Sequence, residues 1–291
     1  MTPSEEILSI IAEAVKSLNG HLMLVGAYSR DYWIQAMKVY GTARMTVDVD
    51  IACRVSTWAE FQQIMDFLKT ENRLRQDTRV KHRLWLRDEI YADLIPFGGI
   101  EDANGEYAWP PDFDVTLNVQ GYQLAYEDAV EVERTVLKVI RPCWLAMLKL
   151  KSFTDNPART KDLIDVFFVI DHYLEFIDEE HRLYGPDATD ADIFSSEAFD
   201  TRIAGATLIV RDCHVHGGDL LRSIQTDIQN FNCNDCLSIV FARVNCLEQE
   251  EAQSLLNTLL SPWHNTTGYR KRISVGRNRQ QANSRAVTWY K

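Results

Sequence analysis

The stretch 46–51 reads Thr-Val-Asp-Val-Asp-Ile and sets two carboxylates two residues apart among β-branched residues. This composition predicts a β-strand over about residues 47–55. Side chains at positions i and i+2 of a strand project from the same face, so Asp48 and Asp50 should stand side by side. Carboxylates that close repel each other, and one takes up a proton unless a cation neutralises the pair. A hard divalent cation suits such a pair, and Mg²⁺ is the usual ion where phosphates are also bound.

A glycine turn precedes this strand, and a third acidic residue follows it. Gly26 ends a predicted apolar strand, and a predicted helix begins at about Ser29. The turn Gly26-Ala27-Tyr28-Ser29 therefore offers backbone N–H groups and a hydroxyl to phosphate oxygens, although turns of this kind also arise for steric reasons alone. Asp93 lies in a later predicted strand. The order of turn, paired acids and third acid indicates metal-assisted phosphoryl chemistry.

The chemistry of a divalent-metal site assigns a role to each acidic residue. Asp48 and Asp50 would hold one or two Mg²⁺ ions against a triphosphate. Asp93 would complete a second metal site and act as a base on an acceptor hydroxyl, or it is a strand-end acid that faces solvent. Arg30 and Arg44 flank the proposed site, and each either neutralises phosphates or forms an ordinary ion pair, as Arg30 can with the aspartate after it.

Three charged residues of the second half of the chain are further candidates. Lys149 has apolar residues four positions before and after it, so on a helix it lies beside an apolar stripe. Its ammonium either reaches a triphosphate or snorkels to water. Lys161 and Asp162 share another predicted helix with Asp165. Lys161 and Asp165 can form a simple surface pair, whereas Asp162 can point towards the nucleotide.

Length and composition are those of an ordinary globular protein. The chain has 291 residues, of which 46% are hydrophobic and 25% charged. Its beginning lacks a basic segment followed by an apolar one, and no stretch reaches the ~18 apolar residues of a membrane span. We therefore expect a cytoplasmic protein without membrane partners. Six scattered cysteines predict reduced thiols, and the Cys233–Cys236 spacing near Cys213 leaves a structural zinc site as an alternative.

Charge is unevenly distributed along the chain. The net charge is −11, yet the stretch 264–291 contains seven cations and no acidic residue. Aromatic residues such as Trp289 lie among these cations, so this basic tail could contact an RNA backbone and stack on bases. The alternatives are a solvated terminus, or one that docks on the acidic stretch 171–200.

Local patterns predict a mixed α/β region followed by a helical one. Pro96 and the glycines after it are expected to end the last long strand, and the stretch up to Pro111 reads as a loop. The predicted elements are helices at 4–18, 29–39 and from Thr57 onward, strands at 21–25, 47–55, 81–87 and 89–95, short extended pieces over 113–140, and helices from Pro142 to about 260. The predicted domains are 1–140, 141–263 and the tail 264–291.

Several of these motifs together resemble a known family. The turn 26–29, the pattern Arg44-x-Thr46-x-Asp48-x-Asp50 and the stretch 93–98 resemble the nucleotidyltransferase superfamily that includes DNA polymerase beta. Within it, the similarity is greatest to the AbiEii-like nucleotidyltransferase toxins of bacterial type IV toxin–antitoxin systems. Stretches 148–153 and 159–165 look like that group's lysine-containing helix and its later Lys-Asp motif.

This resemblance implies an α+β fold, in which a mixed sheet flanked by helices is followed by a helical C-terminal domain. It implies Mg²⁺-dependent transfer of a nucleoside monophosphate from an NTP to an acceptor hydroxyl, with release of pyrophosphate. In the toxin group the acceptor is often RNA, notably the 3′ end of tRNA, and an antitoxin is the partner. The implied catalytic residues are Asp48, Asp50, Asp93 and Lys149. The implied NTP-binding residues are Gly26, Ala27, Ser29, Arg30, Arg44, Lys161 and Asp162.

One departure from the family pattern leaves other functions open. The superfamily turn is usually Gly-Gly or Gly-Ser, whereas here Gly26 is followed by Ala27 and the serine comes two positions later. The alternatives are a small-molecule nucleotidyltransferase of the aminoglycoside-modifying kind and an inactive binding or regulatory protein of the same fold. A metal-dependent nuclease is a more distant one. Truncation of the basic tail should harm an RNA enzyme far more than a small-molecule enzyme.

Overall fold

The computed structural model describes residues 2–37, 48–70, 74–133, 135–195, 199–231 and 236–261. These residues group into two compact units, one formed by 2–32 with 48–141 and the other by 33–37 with 142–261. The main division therefore falls between Arg141 and Pro142. Arg44, Thr46, Cys233 and the basic tail lie outside the described residues. Among the described helices, none is both long and apolar enough to cross a membrane.

The first unit is built on a mixed seven-stranded sheet with the order β3-β4-β5-β2-β1-β9-β8. Strands β2 and β5 are parallel, as are β1 and β9, and the other neighbours are antiparallel. Strands β6 and β7 form a separate antiparallel pair. The strands are β1 His21–Leu24, β2 Asp48–Arg54, β3 Leu74–Gln76, β4 Arg83–Leu86, β5 Ile90–Phe97, β6 Glu106–Ala108, β7 Thr116–Asn118, β8 Val130–Glu131 and β9 Leu137–Val139.

Helices accompany the sheet, and their ends follow local sequence signals. These helices are α1 Pro3–Ser17, α2 Gly26–Met37, α3 Trp58–Thr70 and α4 Tyr122–Asp128. At the start of α1, Thr2 and Glu5 form a reciprocal capping box, because each side chain accepts the backbone N–H of the other. At α3, the Thr57 hydroxyl accepts the Glu60 N–H at 3.2 Å, which confirms the predicted helix start. Helix α1 contacts β1, β2 and β5, so it covers the centre of the sheet.

The second unit is helical, as predicted from Pro142 onward. Its α-helices are joined at one place by a 3₁₀ turn at Tyr173–Phe176 and a π-helical turn at Glu180–Tyr184. Those helices are α5 Pro142–Asp155, α6 Thr160–Asp171, α7 Ala191–Phe194, α8 Thr201–Phe231, α9 Cys236–Asn245 and α10 Gln249–Leu260. Helix α8 is kinked at Gly217, where φ is −158° and ψ is 51°. Fully buried aromatic residues such as Trp144 and Phe241 form the core of this unit.

The predicted end of the last long strand is wrong. Strand β5 continues through Pro96 to Phe97, and Pro96 is paired with Cys53 of β2. The Leu94 N–H donates to the His82 carbonyl oxygen, on the side of β5 that faces β4. An N–H at Pro96, two residues later, would point to the same side, but β4 begins at Arg83 and does not extend that far. The proline therefore removes no hydrogen bond between the two strands.

Two further expectations differ from the structure. Helix α2 begins at Gly26, three residues before the predicted start, so the glycine turn is the first turn of the helix. The region between β5 and β9, expected as loop and short extended pieces, also contains α4, which follows Gly121 at a φ of +91°. Its seven residues are too few to give a helical period that can be recognised in the sequence.

Candidate active site

The three acidic residues identified in the sequence share one face of the sheet. Strands β2 and β5 are parallel neighbours, and their register pairs Asp50 with Asp93 and Asp48 with Tyr91. Paired residues on neighbouring strands project from the same face, and so do residues two apart on one strand. Asp48 and Asp50 are half-buried, while the intervening Val49 is completely buried on the opposite face. The structure therefore gathers carboxylates from two strands on one side of the sheet.

The glycine turn lies directly against one of these carboxylates. Gly26 has a φ of +65°, and a Cβ added to it would lie 1.9 Å from Asp50 Oδ2 and 2.7 Å from its Cγ. The neighbouring Val25 N–H donates to the Asp50 carbonyl oxygen at 3.0 Å. Only glycine can occupy this position without displacing the Asp50 side chain. The turn and the acidic pair, which are separate motifs in the sequence, form one site in the fold.

The Ser29 hydroxyl, which was predicted to donate to a phosphate oxygen, has another acceptor in the structure. It is completely buried and donates to the Gly26 carbonyl oxygen at 2.7 Å, inside the first turn of α2. Ala27 beside it is also buried. Phosphate binding by this turn therefore stays a prediction that rests on the backbone N–H groups at the beginning of the helix.

Arg30 forms an ion pair with Asp31, which was the alternative to phosphate binding in the sequence analysis. Its Nε and Nη2 donate to Asp31 Oδ1 at 3.0 and 2.7 Å, and the residue is only 2% exposed. A nucleotide would have to compete with this contact to use the guanidinium. Arg44, the other candidate, lies outside the described residues.

Sequence reasoning missed Arg83, which is bound to the third acid of the site. Arg83 is paired with Asp93 across β4 and β5, and its Nε and Nη2 donate to Asp93 Oδ1 and Oδ2, both at 2.8 Å. These hydrogen bonds raise the pKa of Arg83, so the guanidinium stays charged. It also stacks over the Tyr91 ring, 3.8 Å from the ring centroid. No local signal identifies this residue, because the contact depends on the register between two strands.

His82 lies beside the same carboxylate. Its Nε2 is 3.9 Å from Asp93 Oδ2. Burial lowers the pKa of His82, and the charge of Arg83 lowers it further, while Asp93 opposes both effects. The imidazole is therefore neutral near neutral pH, and the positive charge next to Asp93 comes from Arg83.

The carboxylates on this face of the sheet suit a hard divalent cation, although Asp93 is already hydrogen-bonded to Arg83. Carboxylate oxygens are the ligands that Mg²⁺ prefers, and the glycine turn lies in close contact with the Asp50 carboxylate. Both Asp93 oxygens accept hydrogen bonds from Arg83. Among the described residues, no three His, Cys, Asp or Glu side chains are grouped to hold one ion, whether Mg²⁺ or the alternative zinc. Asp48 and Asp50 have the carboxylate chemistry that Mg²⁺ prefers, and binding of the ion by this pair stays a prediction.

The helical unit contains a separate buried network of charges. Lys149 Nζ lies 2.8 Å from Asp162 Oδ1 and 3.1 Å from Asp165 Oδ2. Arg159 Nε donates to Asp162 Oδ2 at 2.7 Å. Burial alone would raise the pKa of Asp162, but Lys149 and Arg159 together hold it below the ordinary carboxyl value. The network thus contains two cations and two carboxylates, of which Arg159 is exposed and the other three residues are buried.

This network changes the interpretation of the second group of candidates. The Lys149 ammonium does not snorkel to water, because the residue is 9% exposed and bonded to two carboxylates. Lys161 and Asp165 do not form the surface pair that was one interpretation of their spacing, since Asp165 is 1% exposed and is paired with Lys149. Asp162 is completely buried, so it cannot contact a nucleotide unless the network opens. Lys161 is exposed, and its nucleotide contact stays a prediction.

Comparisons with known proteins leave the chain without an assigned family. No protein-family model matches it, and no curated protein matches it. Among solved structures, the chain is similar to the antibiotic-resistance factor ANT(2'')-Ia, with a TM-score of 0.35 and 15% sequence identity. The match covers 56% of this chain and 80% of that chain. A likeness at this level assigns neither a family nor an activity to the chain.

Proposed function

We propose that this α+β protein is a Mg²⁺-dependent nucleotidyltransferase, which moves a nucleoside monophosphate from an NTP to an acceptor hydroxyl. One observation carries the proposal: the glycine at the beginning of α2 lies against the Asp50 carboxylate, on the sheet face that also carries Asp48 and Asp93. A helix N-terminus attracts phosphate, and a carboxylate pair attracts the divalent ion that accompanies a triphosphate. The two binding elements are adjacent here, as metal-assisted transfer of a nucleotide requires.

The proposed reaction exchanges one phosphorus–oxygen bond for another. The acceptor oxygen forms a bond to the α-phosphorus, the bond from that phosphorus to the bridging oxygen breaks, and pyrophosphate leaves with the electron pair. The hydroxyl proton passes to a base, the role predicted for Asp93. Bound Mg²⁺ neutralises phosphate charge. Asp48 and Asp50 would hold this ion, while backbone N–H groups after Gly26 would orient the triphosphate.

RNA is the acceptor class that we propose, with the 3′ end of tRNA as the first candidate. The support is the resemblance of the motifs to AbiEii-like toxins and the basic, aromatic-containing tail 264–291. On the same grounds we propose a cytoplasmic protein that has a cognate antitoxin as its partner.

The direct test incubates purified protein with Mg²⁺, total RNA and each of four α-labelled NTPs in parallel. We expect label to enter RNA with the wild type and to be absent with Asp48→Asn or Asp50→Asn. Asp66→Asn is the matched control, because Asp66 is an exposed aspartate of α3 and its substitution should leave labelling unchanged.

Each other outcome points to a different function. No labelling, together with no Mg²⁺-dependent NTP binding, would reject the catalytic proposal and leave a fold used for binding. NTP turnover that labels a small molecule and no RNA would identify a small-molecule nucleotidyltransferase. Removal of residues 264–291 should abolish RNA labelling but leave NTP binding unchanged if the acceptor is RNA.

A further inference from the structure

We propose that Arg83 occupies the place of a second metal ion in this active site, so that the site takes a single divalent cation on Asp48 and Asp50. This inference rests on the proposed function and specifies the chemistry of the same site. Asp93 is then not a metal ligand, and Arg83 supplies the second positive charge of the acidic face.

The Arg83 guanidinium is held in one orientation by its neighbours. The guanidinium binds both oxygens of Asp93 in a fork, the most specific arrangement between these two groups. The Tyr91 ring lies 3.8 Å from the guanidinium carbon, so a second side chain also holds the group. The β4–β5 ladder, which pairs Arg83 directly with Asp93, fixes the backbone beneath both. With two side-chain contacts and a fixed backbone, the Arg83 guanidinium is already in position before substrate binds.

This contact opposes a second ion for two reasons. Each Asp93 oxygen already shares its negative charge with the guanidinium through a hydrogen bond, so Asp93 attracts a metal ion less than a carboxylate without a cationic partner does. A divalent ion next to Asp93 would also lie beside the permanent charge of Arg83 and be repelled by it. The register pairs Asp50 with Asp93 and Asp93 with Arg83, so Arg83 lies on the acidic face itself. A fixed cation there can stabilise the charge that develops on transferred phosphate.

The test counts bound ions and does not depend on turnover. Protein is titrated with Mn²⁺ alone and with the α,β-methylene analogues of ATP, GTP, CTP and UTP. Bound Mn²⁺ is counted after ultrafiltration, and electron paramagnetic resonance detects spin coupling between neighbouring ions. We expect one uncoupled Mn²⁺ per wild-type chain and a second, spin-coupled ion in Arg83→Gln. Arg83→Lys keeps the charge and should bind one, as should the control Arg75→Gln, in which an exposed arginine of β3 is changed.

The outcomes separate this inference from the proposed function. Two coupled ions in the wild type, or a single ion in a folded Arg83→Gln variant, would overturn the role of Arg83 while leaving a nucleotidyltransferase. No bound Mn²⁺ in the wild type under any condition would overturn the proposed function and this inference with it.

A second variant decides the case if Arg83→Gln does not fold. Asp93→Asn should bind Mn²⁺ with unchanged affinity, because this carboxylate is engaged by Arg83 and holds no ion. Loss of a residue that supports a metal ligand already costs about 10–100-fold in affinity. A loss of that size in Asp93→Asn would show that Asp93 holds the ion and would refute the inference.

Discussion

Substitution of Gly26 by alanine is the sharpest test of the site geometry. Two costs can be worked out from the structure. The φ of +65° costs an L-residue about 1–2 kcal/mol. The added Cβ would lie 1.9 Å from Asp50 Oδ2, whereas carbon and oxygen normally approach to ~3.3 Å, so the carboxylate must move by more than about 1 Å. Overpacking of this kind costs about 1–3 kcal/mol, so we expect a total destabilisation of about 2–5 kcal/mol.

The matched control for this substitution is Gly98→Ala. Gly98 also has a positive φ, +108°, but the nearest atom to its added Cβ is Arg54 Cγ at 3.0 Å, part of a flexible side chain. A φ of +108° lies outside the left-handed helical region, so we expect this variant to lose a backbone term of about 1–3 kcal/mol without displacing a carboxylate. Only Gly26→Ala displaces the Asp50 carboxylate, so a change in Mn²⁺ binding that is confined to this variant isolates the collision.

The assay is urea unfolding followed by circular dichroism, together with Mn²⁺ binding by the folded protein. Gly26→Ala should be the less stable of the two variants and should bind Mn²⁺ more weakly, because its Asp50 carboxylate is displaced. Gly98→Ala should bind Mn²⁺ as the wild type does. Equal stability of the two variants with unchanged Mn²⁺ binding in Gly26→Ala would refute the contact between the glycine turn and Asp50.

The remaining predictions concern the charged network of the helical unit. Lys149→Met should lower the free energy of unfolding by about 3–5 kcal/mol, because Asp162 and Asp165 lose the ammonium between them. The exposed control Lys161→Met should change it by about 0.5 kcal/mol or less, and equal urea midpoints for the two would contradict a structural role for Lys149. Because the pKa of Asp162 is lowered in the folded protein, its stabilisation is complete above the unfolded value near 3.8 and is lost as the pH falls below it. Asp162→Asn should therefore show a shallower fall in stability than the wild type as the pH drops below about 4, and parallel pH profiles would exclude this contribution.

Several features of this protein follow from local sequence and could be predicted. The two-residue period of a strand puts Asp48 and Asp50 on one face whatever the strand pairs with. The cap at Thr57 depends on residues three positions apart, so its signal is complete within one helical turn. The change to helical periodicity after Pro142 is likewise visible in any short window of the sequence.

The contacts that define the site are of another kind, because they join residues distant in sequence. The pairing of Asp50 with Asp93, and of Asp93 with Arg83, depends on the register of three strands, and a slip of one residue would turn these side chains to the opposite face. The sequence contains the three acids, but only the assembled sheet brings Arg83 onto one of them.

The same distinction explains the outcome for Lys149. Its position beside an apolar stripe could be read from the helical period, but the period does not show what lies across the helix interface. Packing of α5 against α6 brings Lys149 to Asp162 and Asp165 and excludes water from all three. The sequence by itself determined which residues carry charge and which local element each belongs to. Tertiary structure alone decided which charges meet, because strand register and helix packing are set by the whole core and not by neighbouring residues.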